Sequence, residues 1–236
     1  RERSRSVESI IEEIKGLIAK GIKNVTLLGQ NVNSYKYASD DFSSLIEKIL
    51  QQTEIPRIRF TSPHPKDFPE KLLYLMAANK RFSPSIHLPL QAGSNRILKL
   101  MKRNYTSEDY LNLVEKIREI IPDVGLTTDV IVGFPNETEE DFLATLSLMK
   151  TIRFDNAYMY KYSEREGTKA KELYPDNVTE HEKSERLIKL VDLKNRVSLE
   201  KNSEKIGKIF EVQVEALSKK SSGEFSGKTN CGRTVV

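Results

Sequence analysis

His87-Leu88-Pro89-Leu90-Gln91-Ala92-Gly93-Ser94-Asn95-Arg96, running on into Ile97-Leu98-Lys99-Leu100-Met101-Lys102-Arg103, decides how this chain is read. A short apolar strand ends there in polar groups and a glycine that pass directly into a helix start. Three other predicted strands end in similar polar turns, at Gly29-Gln30-Asn31-Val32-Asn33-Ser34, at Thr61-Ser62-Pro63-His64-Pro65 and at Gly133-Phe134-Pro135-Asn136-Glu137-Thr138. In parallel α/β architectures the groups at that edge of the sheet converge on one pocket.

Working outward, Ser6 caps a helix whose Ile10, Ile11, Ile14, Leu17 and Ile18 recur at helical spacing and which Gly21 ends. Strands are expected at residues 24–28, 57–61, 85–88, 126–132 and 155–162, and helices at 42–51, 68–77 and on either side of Asn104. Thr106 with Asp109 forms a capping pair, and Thr138 opens a helix with Glu139, Glu140 and Asp141 in its first turn, where the helix dipole favours negative charge. Strand and helix units repeating about every thirty residues imply parallel neighbours, which need a crossover connection. No G-x-G-x-x-G or P-loop pattern follows any of these strands, so an incomplete barrel is preferred to a nucleotide-binding doubly wound sheet. Thr179 and Glu182 form a capping box for a long charged helix with Leu187, Leu190, Val191 and Val197 on one face, expected to pack back on the barrel. From Lys208 the pattern becomes β-like, with Ser218 to Gly223 as a turn. The expected division is 1–205 for the barrel and 206–236 for a small β domain that stops mid-strand.

The chain has 236 residues, 38% of them hydrophobic, enough to bury a substantial core. No run of eighteen apolar residues suggests a membrane span, and a cytoplasmic location is the default expectation. The formal charge of +4 permits a phosphate or nucleic-acid partner without demonstrating one. Cys231 is the one cysteine, which rules out an internal disulfide or a cysteine-only metal site made by these residues. None of the three histidines is spaced as a metal pair; His64, between two prolines, is a pocket candidate or an ordinary loop histidine.

Several motifs together resemble the radical S-adenosylmethionine (SAM) methylthiotransferases over nearly the whole chain. They are Arg1-Glu2-Arg3-Ser4-Arg5-Ser6, Leu27 to Tyr35, His87 to Ser94 with Met101-Lys102-Arg103, Thr128 to Pro135, and Tyr162 to Thr168. The Gly29-to-Tyr35 segment is similar to the branch acting on tRNA isopentenyladenosine; the branches modifying threonylcarbamoyl-adenosine or ribosomal protein S12 are the alternatives within the family. The C-terminal segment is similar to the start of the TRAM domain, a small RNA-binding β-barrel. The fold implied is an α/β partial parallel (β/α) barrel of the radical SAM type lacking its first strand, followed by an incomplete small β-barrel.

The resemblance implies methylthiolation at C2 of N6-isopentenyladenosine beside the tRNA anticodon, with SAM as cofactor, two [4Fe-4S] clusters in the full-length parent, and an electron donor and a sulfur source as partners. Insertion at an unactivated C–H needs a one-electron cofactor: a cluster reductively cleaves SAM to a 5′-deoxyadenosyl radical. The family's cluster cysteines precede the arginine-rich segment, so none is expected here, and residues 1–236 alone are expected to be inert. The implied SAM contacts are Gly29, Gln30 and Asn31 at the first strand end, Gln91 and Ser94 at the next but one, with Gly93 letting the helix N-terminus face an anion. Asp129, within an apolar strand, would touch SAM or substrate or be a structural aspartate, and Gly133-Phe134-Pro135 with Glu137 resembles the adenine-binding turn. Asn136, where the family commonly has glycine, tolerates a left-handed backbone. For RNA the candidates are Arg1, Arg3, Arg5, His64, Lys102, Arg103 and Arg165. Simpler readings stand beside these: a plain turn at Gly29, a helix cap at Ser94, a surface ion pair at Arg165 with Glu164 or Glu166. From other classes, a general acid–base enzyme would need a poised pair at one rim. An RNA-binding module without catalysis would lean on Lys219 and Lys220.

Overall fold

The computed structural model describes residues 3–61, 63–218 and 223–236. In chain order its elements begin with α1 Val7–Ala19, β1 Asn24–Leu27, β2 Lys36–Tyr37, β3 Asp40–Asp41, α2 Phe42–Gln52 and β4 Arg57–Phe60. There follow α3 Glu70–Ala78, β5 Ser85–His87, α4 Asn95–Leu100, α5 Ser107–Ile120, β6 Gly125–Val132 and α6 Glu139–Ile152. The last are β7 Asn156–Lys161, α7 Lys169–Leu173, α8 Glu180–Ser203, β8 Val212–Leu217, β9 Phe225–Thr229 and β10 Thr234–Val235. Two compact units result, one of Arg1–His87, Lys116–Gly125 and Ile209–Val236, the other of Leu88–Glu115 and Leu126–Lys208.

In the first unit the expected cap forms at Ser6, whose hydroxyl accepts the Ser9 N–H at 3.2 Å, and α1 buries Val7, Ile11 and Ile14. β1 and β4 are parallel, in register from Asn24↔Arg57 to Leu27↔Phe60. Phe42 from α2, Phe60 and Phe82 fill the space beneath them, with ring centroids 5.6 and 5.7 Å apart. α3 starts two residues later than expected, because residues 65–67 form a single 3-10 turn between the prolines and Pro69 occupies the cap.

The C-terminal strands are an antiparallel sheet in the order β10-β9-β8. They cluster with the first unit through a set of polar anchors: Arg57 and Arg59 donate to the carbonyls of Lys228 and Thr229, both at 3.3 Å, and Asn230 Nδ2 donates to the Lys80 carbonyl at 3.2 Å. A Cβ at Gly125 would lie 2.0 Å from the Cys231 carbonyl oxygen, so only glycine allows that seat.

In the second unit β6 and β7 run parallel from Thr127↔Asn156 to Val132↔Lys161. The Leu88–Gln91 segment lies beside β6: Leu88 N–H donates to Thr127 O and Gln91 N–H to Asp129 O, each at 2.8 Å. Along β6 burial alternates, with Leu126, Thr128, Val130 and Val132 buried and Thr127, Asp129 and Ile131 half-open. Tyr110, Val114, Phe142 and Phe154 are also buried in this unit; the Tyr110 ring lies 6.4 Å from that of Phe154, and its hydroxyl donates to the Leu88 carbonyl at 2.6 Å.

α8 begins at the expected capping box and packs on β7 and α6. Its buried face is Lys183, Arg186, Leu190, Leu193 and Val197; Leu187 and Val191, expected there, are only half-buried. The apolar pattern alone placed the stripe slightly off, because two positions of the true stripe hold cations.

Candidate functional site

Parallel register puts Asp129 beside Tyr158 and Ile131 beside Tyr160 on the half-open face of β6 and β7. Tyr158 and Tyr160 are 49% and 53% exposed. At the carboxyl end of these strands opens a cavity of about 560 Å³, walled by Leu100, Met101, Ile131, Phe134, Tyr160, Tyr162, Leu173 and Tyr174. Lys102, Arg103, Lys161, Arg165 and Lys169 also line it and, Arg103 apart, are exposed. Two polar atoms here are buried without a hydrogen-bond partner, Arg103 Nε and the Tyr162 hydroxyl. Aromatic walls, cations and two unspent donors suit a planar base carrying phosphate or carboxylate groups.

The floor of this cavity depends on the turn after β6. Gly133 has φ +70°, and a Cβ there would sit 2.3 Å from Lys183 Cγ. Its N–H donates to Glu137 Oε2 at 2.7 Å, and Arg186 Nη1 donates to the same oxygen at 2.9 Å. Burial pushes the Glu137 carboxyl above its ordinary range, against the opposing pull of the Gly133 amide and the Arg186 guanidinium. Phe134 then packs edge-on to Tyr162 at 5.1 Å and Tyr174 at 6.3 Å. Asn136 takes φ +67°, the left-handed backbone expected for it, and exchanges hydrogen bonds with Asn177 at 2.7 and 3.0 Å.

The entry to α4 is built differently from the expectation. The Gly93 N–H donates to Thr145 Oγ1 at 2.8 Å, and a Cβ at Gly93 would lie 2.5 Å from Thr145 Cα. Its glycine therefore admits the α6 backbone, and the Gly93 amide is spent on Thr145. The Ser94 hydroxyl caps α4 and donates to Asp141 Oδ1 at 2.5 Å. Asp141 also accepts from Arg96 and the Thr138 N–H. Burial favours the neutral acid, but the Arg96, Ser94 and Thr138 hydrogen bonds outweigh it and hold this carboxyl well below the usual range. Gln91 and Lys102 adopt φ +68° and +55°, conformations that glycine or asparagine usually supplies.

Of the sequence candidates, Phe134, Lys102, Arg103 and Arg165 share the cavity and Gly133 immediately precedes Phe134; Asp129 lies on β6, and Gln91 bridges to its Val130. Gly29, Gln30, Asn31, His64, Arg3 and Arg5 belong to the first unit. There Asn33 ties the two strand-end loops, accepting the His64 N–H at 2.8 Å and donating to its carbonyl at 3.3 Å. What approaches Gly29 is Val32, whose Cα would be 3.3 Å from an added Cβ. Arg5 pairs with Glu13 at 2.5 Å. Arg1, Lys219 and Lys220 lie outside the described residues. Tyr158, Tyr160, Tyr174, Lys183 and Arg186 were not among the candidates. Aromatics at every second position, 158, 160 and 162, were the available signal for the first two.

Among the described residues no helix is long and apolar enough to cross a membrane. Solved structures share the fold: coproporphyrinogen III oxidase of Escherichia coli superposes with a TM-score of 0.61 at 16% identity, covering 81% of this chain and 46% of that one. Methylornithine synthase gives 0.50 at 16% identity, over 84% and 54%. In sequence, a tRNA-2-methylthio-N(6)-dimethylallyladenosine synthase of Acetivibrio thermocellus is 51% identical over all of this chain and 49% of its own length. One of the same name from Phocaeicola vulgatus is 48% identical, over 100% and 53%. The chain thus spans about half the length of the curated relatives it matches. A parallel β/α fold with its cavity at the strand ends, and a match of residues 1–149 to the model of that family, together show that this chain belongs to the radical SAM superfamily.

Proposed function

We propose that this chain is part of a tRNA methylthiotransferase that adds a methylthio group to C2 of N6-dimethylallyladenosine. The observation that carries this is collinear identity of 51% across the whole chain with a synthase of that name. The threonylcarbamoyl-adenosine and ribosomal S12 branches have no comparable support.

S-adenosylmethionine fits the second unit: Phe134, Tyr160 and Tyr162 offer faces and edges to a purine, and Arg103 Nε and the Tyr162 hydroxyl are buried donors without partners. Bound with its [4Fe-4S] cluster, it would supply the one-electron chemistry that an unactivated C–H bond demands. The cluster does not fit the donors present, since Cys231 is the sole thiol in the sequence. What these residues do is bind, orient and exclude water. The cations Lys102, Arg103 and Arg165 lie where RNA phosphates would approach, and the small C-terminal sheet is read as the start of a TRAM-like RNA-binding domain. Electron donor and sulfur source act on the full-length protein, in the cytoplasm.

Nucleoside analysis tests this directly. Expression of the full-length protein in a strain lacking its own synthase should restore the 2-methylthio derivative of dimethylallyladenosine in tRNA. Restoration of a threonylcarbamoyl derivative, or of none, would refute the assignment. Binding to tRNA should weaken with salt by a log–log slope of about −0.7 per contacted phosphate on single-stranded regions.

A further inference from the structure

The superfamily match ends at residue 149, yet two buried cations from beyond it, Lys183 and Arg186 on α8, reach the turn after β6. Lys183 lays its stem over Gly133, donates to Asp176 at 2.5 Å, and holds its ammonium 5.7 Å from the Tyr162 ring centroid. Arg186 is 5% exposed and donates both to Glu137 Oε2 at 2.9 Å and to the Glu137 carbonyl at 3.2 Å. The oxygen it grips is the one that accepts the Gly133 N–H. Buried ion pairs contribute little net stability compared with apolar packing of the same volume. What this pair supplies that an apolar pair could not is a fixed acceptor for the Gly133 amide, one residue before Phe134.

We propose that α8 is a working part of the cavity and that Arg186 is its positioning residue. By holding the Glu137 carboxylate on the Gly133 amide, it fixes the Phe134 ring as cavity wall. The link to ligand binding rests on the reading of the cavity as an adenosine site; the clamp itself does not.

The charged groups acting on Glu137 are Arg186 from α8 and Asp141 from α6; Lys183 lies over the neighbouring Gly133, and Glu139 sits 3.7 Å from Arg186. Removing Arg186 leaves the Gly133 amide alone against burial and Asp141, so the balance at Glu137 moves toward the protonated form. Following the Gly133 amide resonance of the 236-residue chain by NMR from about pH 4 to about pH 8 reads this. In Arg186→Met the resonance should shift and its midpoint rise; Arg186→Lys should restore most of the wild-type profile. Affinity for S-adenosylhomocysteine at neutral pH should fall about tenfold in Arg186→Met, as when groups supporting a site are removed, and recover in Arg186→Lys. If Arg186→Met does not fold, the double variant Arg186→Met with Glu137→Gln removes the stranded charge. That variant should fold, show no titration at Gly133 and bind the probe weakly.

A Gly133 resonance and midpoint unchanged in Arg186→Met would overturn the proposal, as would wild-type probe affinity in the folded double variant. Failure of the wild-type chain to bind S-adenosylhomocysteine would count against the adenosine reading, and the amide titration would still decide the clamp.

Discussion

At Gly93 the α6 backbone occupies the place a side chain would take, with Thr145 Cα 2.5 Å from an ideal Cβ. Gly93→Ala must push α4 and α6 apart, at a cost of about 1–3 kcal/mol for overpacking; urea denaturation should show the midpoint falling without loss of helix content. Asp141 joins the same two helices through Ser94, Arg96 and Thr138. Its carboxyl lies below its unfolded value, so its stabilisation is complete above the unfolded pKa of about 3.9 and is lost as pH falls toward the folded one. Asp141→Asn should therefore cost about 1.5–3 kcal/mol at neutral pH, the usual worth of a charged hydrogen bond. The gap to wild type should narrow as pH falls below about 4, where the unfolded chain takes up a proton that the folded Asp141 carboxyl still refuses; denaturation midpoints measured across that range give the answer. Tyr160, half-exposed on the cavity wall, is the residue to remove for binding alone. Tyr160→Ala should weaken an adenosine-bearing probe by roughly tenfold, the scale of one lost aromatic–base contact, with the melting temperature little changed.

Strands and helices were legible wherever one periodicity or one cap dominated. Ser6, Thr106 with Asp109, and the boxes at Thr138 and Thr179 all start helices where the sequence places them. β6, apolar and bounded by Gly125 and Gly133, was equally plain. Pairing partners were not: nothing local says that Leu88–Gln91 runs beside β6, because that depends on a Gln91 backbone at φ +68°. α8 shows the same limit in another form. Its polar residues read as solvated, whereas Lys183 and Arg186 are buried against carboxylates on other elements, Asp176 and Glu137, that a helical wheel cannot show. At the site, Phe134 from a strand-end turn, Lys102 and Arg103 from the segment after α4, and Arg165 from the loop after β7 were candidates in the sequence and line one cavity. The helix cap read at Ser94 is present, whereas the use of Ser94 and Gly93 at the α4–α6 junction, through contacts 47 and 52 residues apart in sequence, has no local signal.

On the scale of the molecule, the single cysteine has a direct chemical consequence. Anaerobic reconstitution of residues 1–236 with iron and sulfide should yield a colourless protein, since a site-differentiated cluster needs three thiolates; stoichiometric iron and visible absorption would refute this. The C-terminal sheet gives a second test. Gly125→Ala drives a methyl group into the Cys231 carbonyl, so the anchors at Arg57 and Arg59 should release. Limited proteolysis should then cut near Lys208 faster than in wild type, and amide exchange should rise in β8 and β9.

Those anchors join residues separated by 171 and 170 positions. The first unit is interrupted twice, while the second is finished at Lys208. During synthesis the interior piece can therefore mature on the ribosome while the piece that began emerging earlier still waits for its last strands. Contacts of such long range are slow to form. The seat at Gly125 is thus a late checkpoint in biogenesis, and a lesion there would show as poor yield of folded chains in the cell before any change in the finished protein.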